Sequence, residues 1–203
     1  MATLDWPTSA AYRPSAIKWG VRTPRSAWQA FYTGQQQSVS HLADRVQLTL
    51  FLPPVMSPLQ AAEREAFFSE VASAGHWLRA WHFHRLVPQG TMRGLPTVQT
   101  AALAGARVLL VQSVAGATLL GGDMLGASGL LLQVGYAGAV ANGTGLLTVP
   151  LVLPLLTALG AGAAVTWNKP TGVFEMTSRE QLFDYSPGRL QAGLAIELSQ
   201  VLT

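Results

Sequence analysis

No cysteine occurs in the 203 residues, so disulfides, thiolate metal ligands and cysteine nucleophiles are all ruled out. Charge is scarce too. Asp, Glu, Lys and Arg make up 11% of the chain, less than half of the ~25% usual in globular domains, while the apolar share of 49% is ordinary. Disordered chains combine low hydrophobicity with high charge, so this balance argues for a folded protein whose surface is covered by lipid or by other subunits. The net charge of +3 is thinly spread, with Arg13, Lys18, Arg22 and Arg25 as the one notable group. Trp6, Trp19, Trp28, Phe31 and Tyr32 lie nearby, but there is no basic run, and no nucleic-acid specificity is expected. The opening residues carry Asp5 and lack an apolar run, so they do not read as a secretory signal.

What is present is mostly strand-like. Residues 16–21 and 27–32 are short aromatic-rich runs, and Thr33-Gly34 signals a turn before three glutamines. Residues 46–52 begin with the two-residue alternation of a half-buried strand and end at Pro53-Pro54, which lack backbone donors. One helix is predicted, over about 58–74. Ser57 is a suitable N-cap, Pro58 occupies the first helical position and Gly75 is a natural stop. Leu59, Ala62, Ala66, Phe67, Val71 and Ala74 are expected to form its apolar face, with Glu63, Arg64, Glu65 and Glu70 in solvent. Residues 77–87 alternate again, setting Leu78, Ala80, His82, His84 and Leu86 on one side. Glycine-separated runs at 108–114, 129–134, 146–153 and 163–167 suggest a small barrel or sandwich, with turns at Gly121-Gly122-Asp123, Gly126 and 142–145. After Lys169-Pro170 a strand is expected at 173–176. Leu190, Ala192, Leu194, Ile196 and Leu198 then alternate as an edge or closing strand.

A membrane span has one argument in its favour. Between Arg107 and Lys169 the only charge is Asp123, and residues 146–165 form twenty uncharged positions, long enough to cross a hydrocarbon core. Pro150 and Pro154 oppose it, since each removes a helical hydrogen bond at a cost of about 3 kcal/mol in a helix interior. No basic anchor precedes the segment, so no membrane insertion is expected.

Catalytic signals are weak. His82 and His84 share one side of the expected strand, a spacing that metals use, and His41 and His76 are further nitrogen donors. No acidic residue stands near them in sequence, so they are weak metal candidates, and a strand face near a subunit contact is the plainer explanation. No nucleophile-elbow motif and no paired-carboxylate signature is present. Gly121-Gly-Asp-Met-Leu-Gly126 has the glycines of a phosphate loop without its lysine, and is expected to be a β-turn. No cofactor and no enzyme activity are expected. The six tryptophans allow a sugar site, although in strands they more often fill cores and interfaces.

The order of short motifs is informative. Asp5-Trp6-Pro7 is followed by FYTGQQ at 31–36, DRVQLTLFLPP at 44–54 and the helix ending near Gly75. Then come ATLLGGDM at 117–124, LLLQV at 130–134, GLLTVPL at 145–151 and VTWNKPTGVF at 165–174. This succession, covering nearly the whole chain, resembles the distal tail proteins of long-tailed phages. The resemblance implies a non-enzymatic virion protein, located at the tail tip and assembled in the host cytoplasm. It implies a homo-hexameric ring that joins the tail tube to the tail-tip hub, with the tape-measure protein as a further neighbour. The implied fold is mostly β: a ring-forming barrel or sandwich carrying the helix, from residues 1–94 together with 169–203, and an inserted small barrel-like domain at 95–168. Alternatives are a virion carbohydrate-binding module on the insert, motivated by the tryptophans, and a membrane-inserted lysis-type protein.

Overall fold

Strict alternation builds the first sheet. The computed structural model describes residues 1–23, 25–29, 31, 33–40, 44–178, 183–185 and 191–201; Tyr32, His41 and Leu190, which figure in the expectations above, lie outside the described residues. In β5 (Arg45–Leu52), Val46, Leu48, Leu50 and Leu52 are buried while the residues between them are half-exposed, as a pleated strand with one covered face requires. In chain order, β1 (Thr3–Asp5), β2 (Ala16–Arg22), β3 (Arg25–Gln29) and β4 (Gln36–Ser40) precede it, and α1 (Pro58–Ala74) and β6 (Trp77–Trp81) follow. The next eight strands are short: β7 (Thr97–Val98), β8 (Val108–Gln112), β9 (Thr118–Leu119), β10 (Met124–Ala127), β11 (Leu130–Gln133), β12 (Ala139–Val140), β13 (Leu146–Pro150) and β14 (Val165–Thr166). β15 (Thr171–Met176) and β16 (Leu194–Gln200) complete the described elements. The protein is therefore mostly β with one helix.

The six-stranded sheet runs β1-β6-β15-β16-β5-β2 and joins both ends of the chain. β16 pairs with β15 on one side and β5 on the other, with Ile196 opposite Leu50 and Leu198 opposite Leu48. It is an interior strand, not the expected edge or closing strand. Alternation reveals that one face is covered but says nothing about how many neighbours a strand has. The sheet is open: its ends are the three-residue β1 and β2, and among the described residues no sheet closes into a barrel. The expected mostly β fold, a barrel or sandwich, is thus built from open sheets, four of them small, and not from closed barrels. Beyond the six-stranded sheet these are β11-β10-β14, β13-β8-β7, β12-β9 and the β3–β4 hairpin.

Two cores form. One gathers Trp6, Tyr12, Leu48, Leu50, Phe68, Val71, Leu78, Phe174, Ile196 and Leu198, and is rich in aromatic rings. The other is aliphatic and lies within residues 92–165, with Leu109, Val111, Leu125, Leu130, Leu147 and Val149 at its centre. The insert rests on the first sheet, because Met124 and Leu131 are buried in the first core. Gly172 on β15 makes that approach possible. A Cβ there would stand 2.7 Å from Leu131 Cβ, closer than any real contact. The insert's two ends are cross-tied: Val165 N–H donates to Pro96 O at 2.9 Å, Lys169 N–H to Leu86 O at 2.6 Å, and Trp167 Nε1 to Gly94 O at 2.8 Å.

α1 has the predicted bounds and a rotated phase. Gly75 adopts the left-handed conformation (φ 63°) and its N–H caps Val71 O. Ser57 sits at the N-cap position without a side-chain cap bond. The buried residues are Ala61, Arg64, Phe68 and Val71, whereas Leu59 is 69% exposed. Alanines on every side make the helix nearly indifferent to rotation, and Phe68 in the aromatic core sets its phase. Arg64, expected in solvent, is consequently enclosed.

Candidate interaction surfaces

The histidine pair is the first sequence-derived candidate. β6 stops at Trp81, so the expected strand to residue 87 is cut short and the chain turns at 82–85, where Arg85 N–H donates to His82 O at 3.0 Å. His82 continues inward and is buried against Trp19, ring centroids 5.0 Å apart, while His84 is exposed. His82 Nδ1 accepts the backbone N–H of His84 at 3.3 Å, so one of its nitrogens is engaged. Burial, and then the positive charge of Arg85 and neighbouring His84, push its pKa down to about 4. His76 Nδ1 accepts the backbone N–H of Ala2. Among the described residues no group of three or more His, Asp or Glu side chains could hold a metal. The geometry gives His82 a packing role as a neutral ring.

Asp123, the only charge in the insert's long neutral stretch, is 5% exposed and acts as a bracket. Its carboxylate accepts the backbone N–H of Gln89 at 2.8 Å, Gly90 at 3.2 Å and Leu120 at 2.8 Å. It thereby ties the segment entering the insert to the turn at 120–123. That turn fits the β-turn expectation, with Asp123 N–H donating to Leu120 O. Gly126, however, is not a turn residue but lies in β10. Asn142 organises the other predicted turn, its Oδ1 accepting from the backbone of Thr144 and Leu146.

A cleft of about 560 Å³ opens between the 6–14 segment and the end of β6. Trp81, Phe83 and Trp6 stand side by side along it, with centroids 4.8 Å and 5.7 Å apart. Lys169 Nζ lies 3.7 Å above the Trp81 ring. Arg13 and His84 also line the cleft, and among the described residues no Asp or Glu does. These residues come from three separated segments, so no single motif announced them. The available signal was Lys169 itself, the first charge after the long neutral stretch.

The β3–β4 hairpin and the sheet edges form a second surface. Among the described residues β3 and β4 pair only with each other, and Trp28 on β3 is 67% exposed, with Phe31 at the turn 94% exposed. A two-stranded hairpin is marginal by itself in water. β2, at the end of the main sheet, offers seven residues of open edge. The sequence placed strands 16–21 and 27–32 here but did not foresee β4, read as a polar glutamine run.

The fold and these surfaces define a mostly β protein with two cores and open strand edges. Comparison with models of known protein families finds no match, and comparison with curated proteins finds none either.

Proposed function

We propose that the chain is a structural, non-enzymatic subunit of an adaptor ring of the distal-tail type, joining the tail tube to the tail-tip hub of a long-tailed phage. The observation that carries this reading is the β3–β4 hairpin, which among the described residues has no third strand and whose Trp28 faces solvent. Such a hairpin is marginal by itself and would be stabilised by a neighbouring chain. Support also comes from an order of motifs that resembles that of distal tail proteins, from a charged fraction of 11%, and from the edge position of β2. Obligate interfaces resemble a domain core cut in half, so a subunit of a large assembly needs few surface charges. In this reading the partners are other copies of the chain in a hexamer, the tube protein, the hub and the tape-measure protein. The site of action is the virion tail tip, after assembly in the host cytoplasm.

Negative-stain microscopy of the purified chain, alone and mixed with tube protein, tests the proposal. Rings that attach to tube ends are expected. Single small particles that ignore the tube contradict it.

The two alternatives fare differently on specific residues. For a sugar site on the insert, its one tryptophan, Trp167, has Arg93 over its ring at 4.9 Å and its Nε1 bonded to Gly94 O, which leaves Tyr136 as the fully exposed ring there. For the lysis-type alternative, no helix among the described residues is long and apolar enough to cross a membrane.

A further inference from the structure

We propose that the cleft between the 6–14 segment and the end of β6 binds a hexuronate unit of an acidic polysaccharide. The cleft is formed within one chain, so this inference does not depend on the ring. Its volume of about 560 Å³ falls in the range of small-molecule sites and is ample for one or two sugar rings.

The chemistry of its walls is specific. Trp81 and Phe83 are half-buried and present ring area to the cleft, which suits the C–H face of a pyranose. Arg13 and Lys169 supply two positive charges, and among the described residues no carboxylate lines the site to neutralise them. The three ion pairs among the described residues use Arg45, Arg79 and Arg107, leaving Arg13 without one. Lys169 is held in place by its backbone. It has a left-handed φ of 51°, rare for a residue other than glycine, and is fixed by its N–H bond to Leu86 O. That conformation sets its ammonium over Trp81, at the mouth of a site where an anion would arrive. Thr8 and Ser9 add hydroxyls on the opposite wall, which suit sugar hydroxyls. An acidic peptide would use the two cations but leave the ring floor and these hydroxyls without counterparts.

Binding should proceed by movement of the Lys169 ammonium from the Trp81 face to the sugar carboxylate, which frees that face for stacking. Arg13 then takes the second carboxylate oxygen or the carboxylate of the next unit.

Isothermal titration of the full chain at low salt with trigalacturonate, a hyaluronate tetrasaccharide, a neutral galactose trisaccharide and a tetra-aspartate peptide tests this assignment. Saturable binding of at least one uronate is expected, with the neutral sugar about tenfold weaker or worse and the peptide weaker still. Arg13→Gln and Lys169→Asn should each weaken uronate binding about tenfold or more, as loss of a charge-assisted hydrogen bond implies, without changing the thermal unfolding midpoint. Asn is chosen because it tolerates the left-handed backbone. Absence of uronate binding overturns the proposal. So does equal affinity for the neutral sugar, equal affinity for the peptide, or uronate binding unchanged in both variants.

Discussion

The two cores handle buried charge in opposite ways. In the insert, Asp123 is enclosed among aliphatic residues, and its carboxylate is satisfied by three backbone N–H groups from two separate segments. In the sheet body, Arg64 on α1 is fully enclosed with no acidic partner among the described residues. It donates to Pro53 O at 2.8 Å and to Ala11 O, and its Nε has no partner among them. Burial lowers the pKa of its guanidinium. A charge that completes a hydrogen-bond network specifies a chain path, whereas a poorly compensated one adds little net stability. The insert, almost free of charge, therefore depends on its one buried charge more than the sheet body depends on any of its own.

Four substitutions test this contrast, from the largest effect to the smallest. Asp123→Ala orphans three backbone donors, one buried and two partly buried, and should cost about 3 kcal/mol in chemical denaturation, with the loss reported by probes in the insert. A loss below about 1 kcal/mol would mean that water replaces the carboxylate. Gly172→Ala acts at the seam between the cores. Its Cβ would overlap Leu131, and a cost of about 2 kcal/mol is expected, accompanied by easier proteolysis between the two units.

His82 gives a pH dependence. Its pKa is lowered from an unfolded value near 6.5 to about 4, so the unfolded chain binds more protons between those values. Stability from the neutral ring is fully present above pH 6.5 and lost as pH falls toward 4. Comparing the wild type with His82→Phe at pH 7 and pH 4.5 should show the variant losing less stability by on the order of 2 kcal/mol. Equal losses would place the imidazole in contact with water. Arg64→Met should be the mildest, about 1 kcal/mol, because an apolar side chain of similar length replaces an unpaired cation. A cost near that of Asp123→Ala would erase the distinction between the cores.

Much of the fold was legible where local chemistry decides it. Ser57-Pro58 and Gly75 delimit α1, and the alternation of residues 46–52 marks β5, because caps and pleats are short-range devices. Features set by distant partners were not legible. β10 is buried along its whole length, since it lies between β11 and β14 and packs beside β15, and Gly126 within it looks like a turn in isolation. The rotated phase of α1 follows from Phe68 fitting beside Trp6 and Tyr12, which the alanine-rich pattern does not encode. His82 and His84 looked equivalent as strand neighbours, and the chain's turn after Trp81 separates them. The aromatic cleft escaped because Arg13, Trp81 and Lys169 meet only in three dimensions.

The scarcity of charge links these regions to function. Exposed apolar side chains lie on both units, among them Trp28 and Leu59 on the sheet body and Leu95, Leu103, Tyr136 and Val140 on the insert. Isolated exposed apolar residues are ordinary, but with so few charges between them they fit surfaces covered in an assembly. Native mass spectrometry of the purified chain over a dilution series addresses this most directly. The account predicts a ring-sized homo-oligomer that persists on dilution and is weakened by Trp28→Ser in the hairpin. A monomer at every concentration, with and without tube protein, would contradict it.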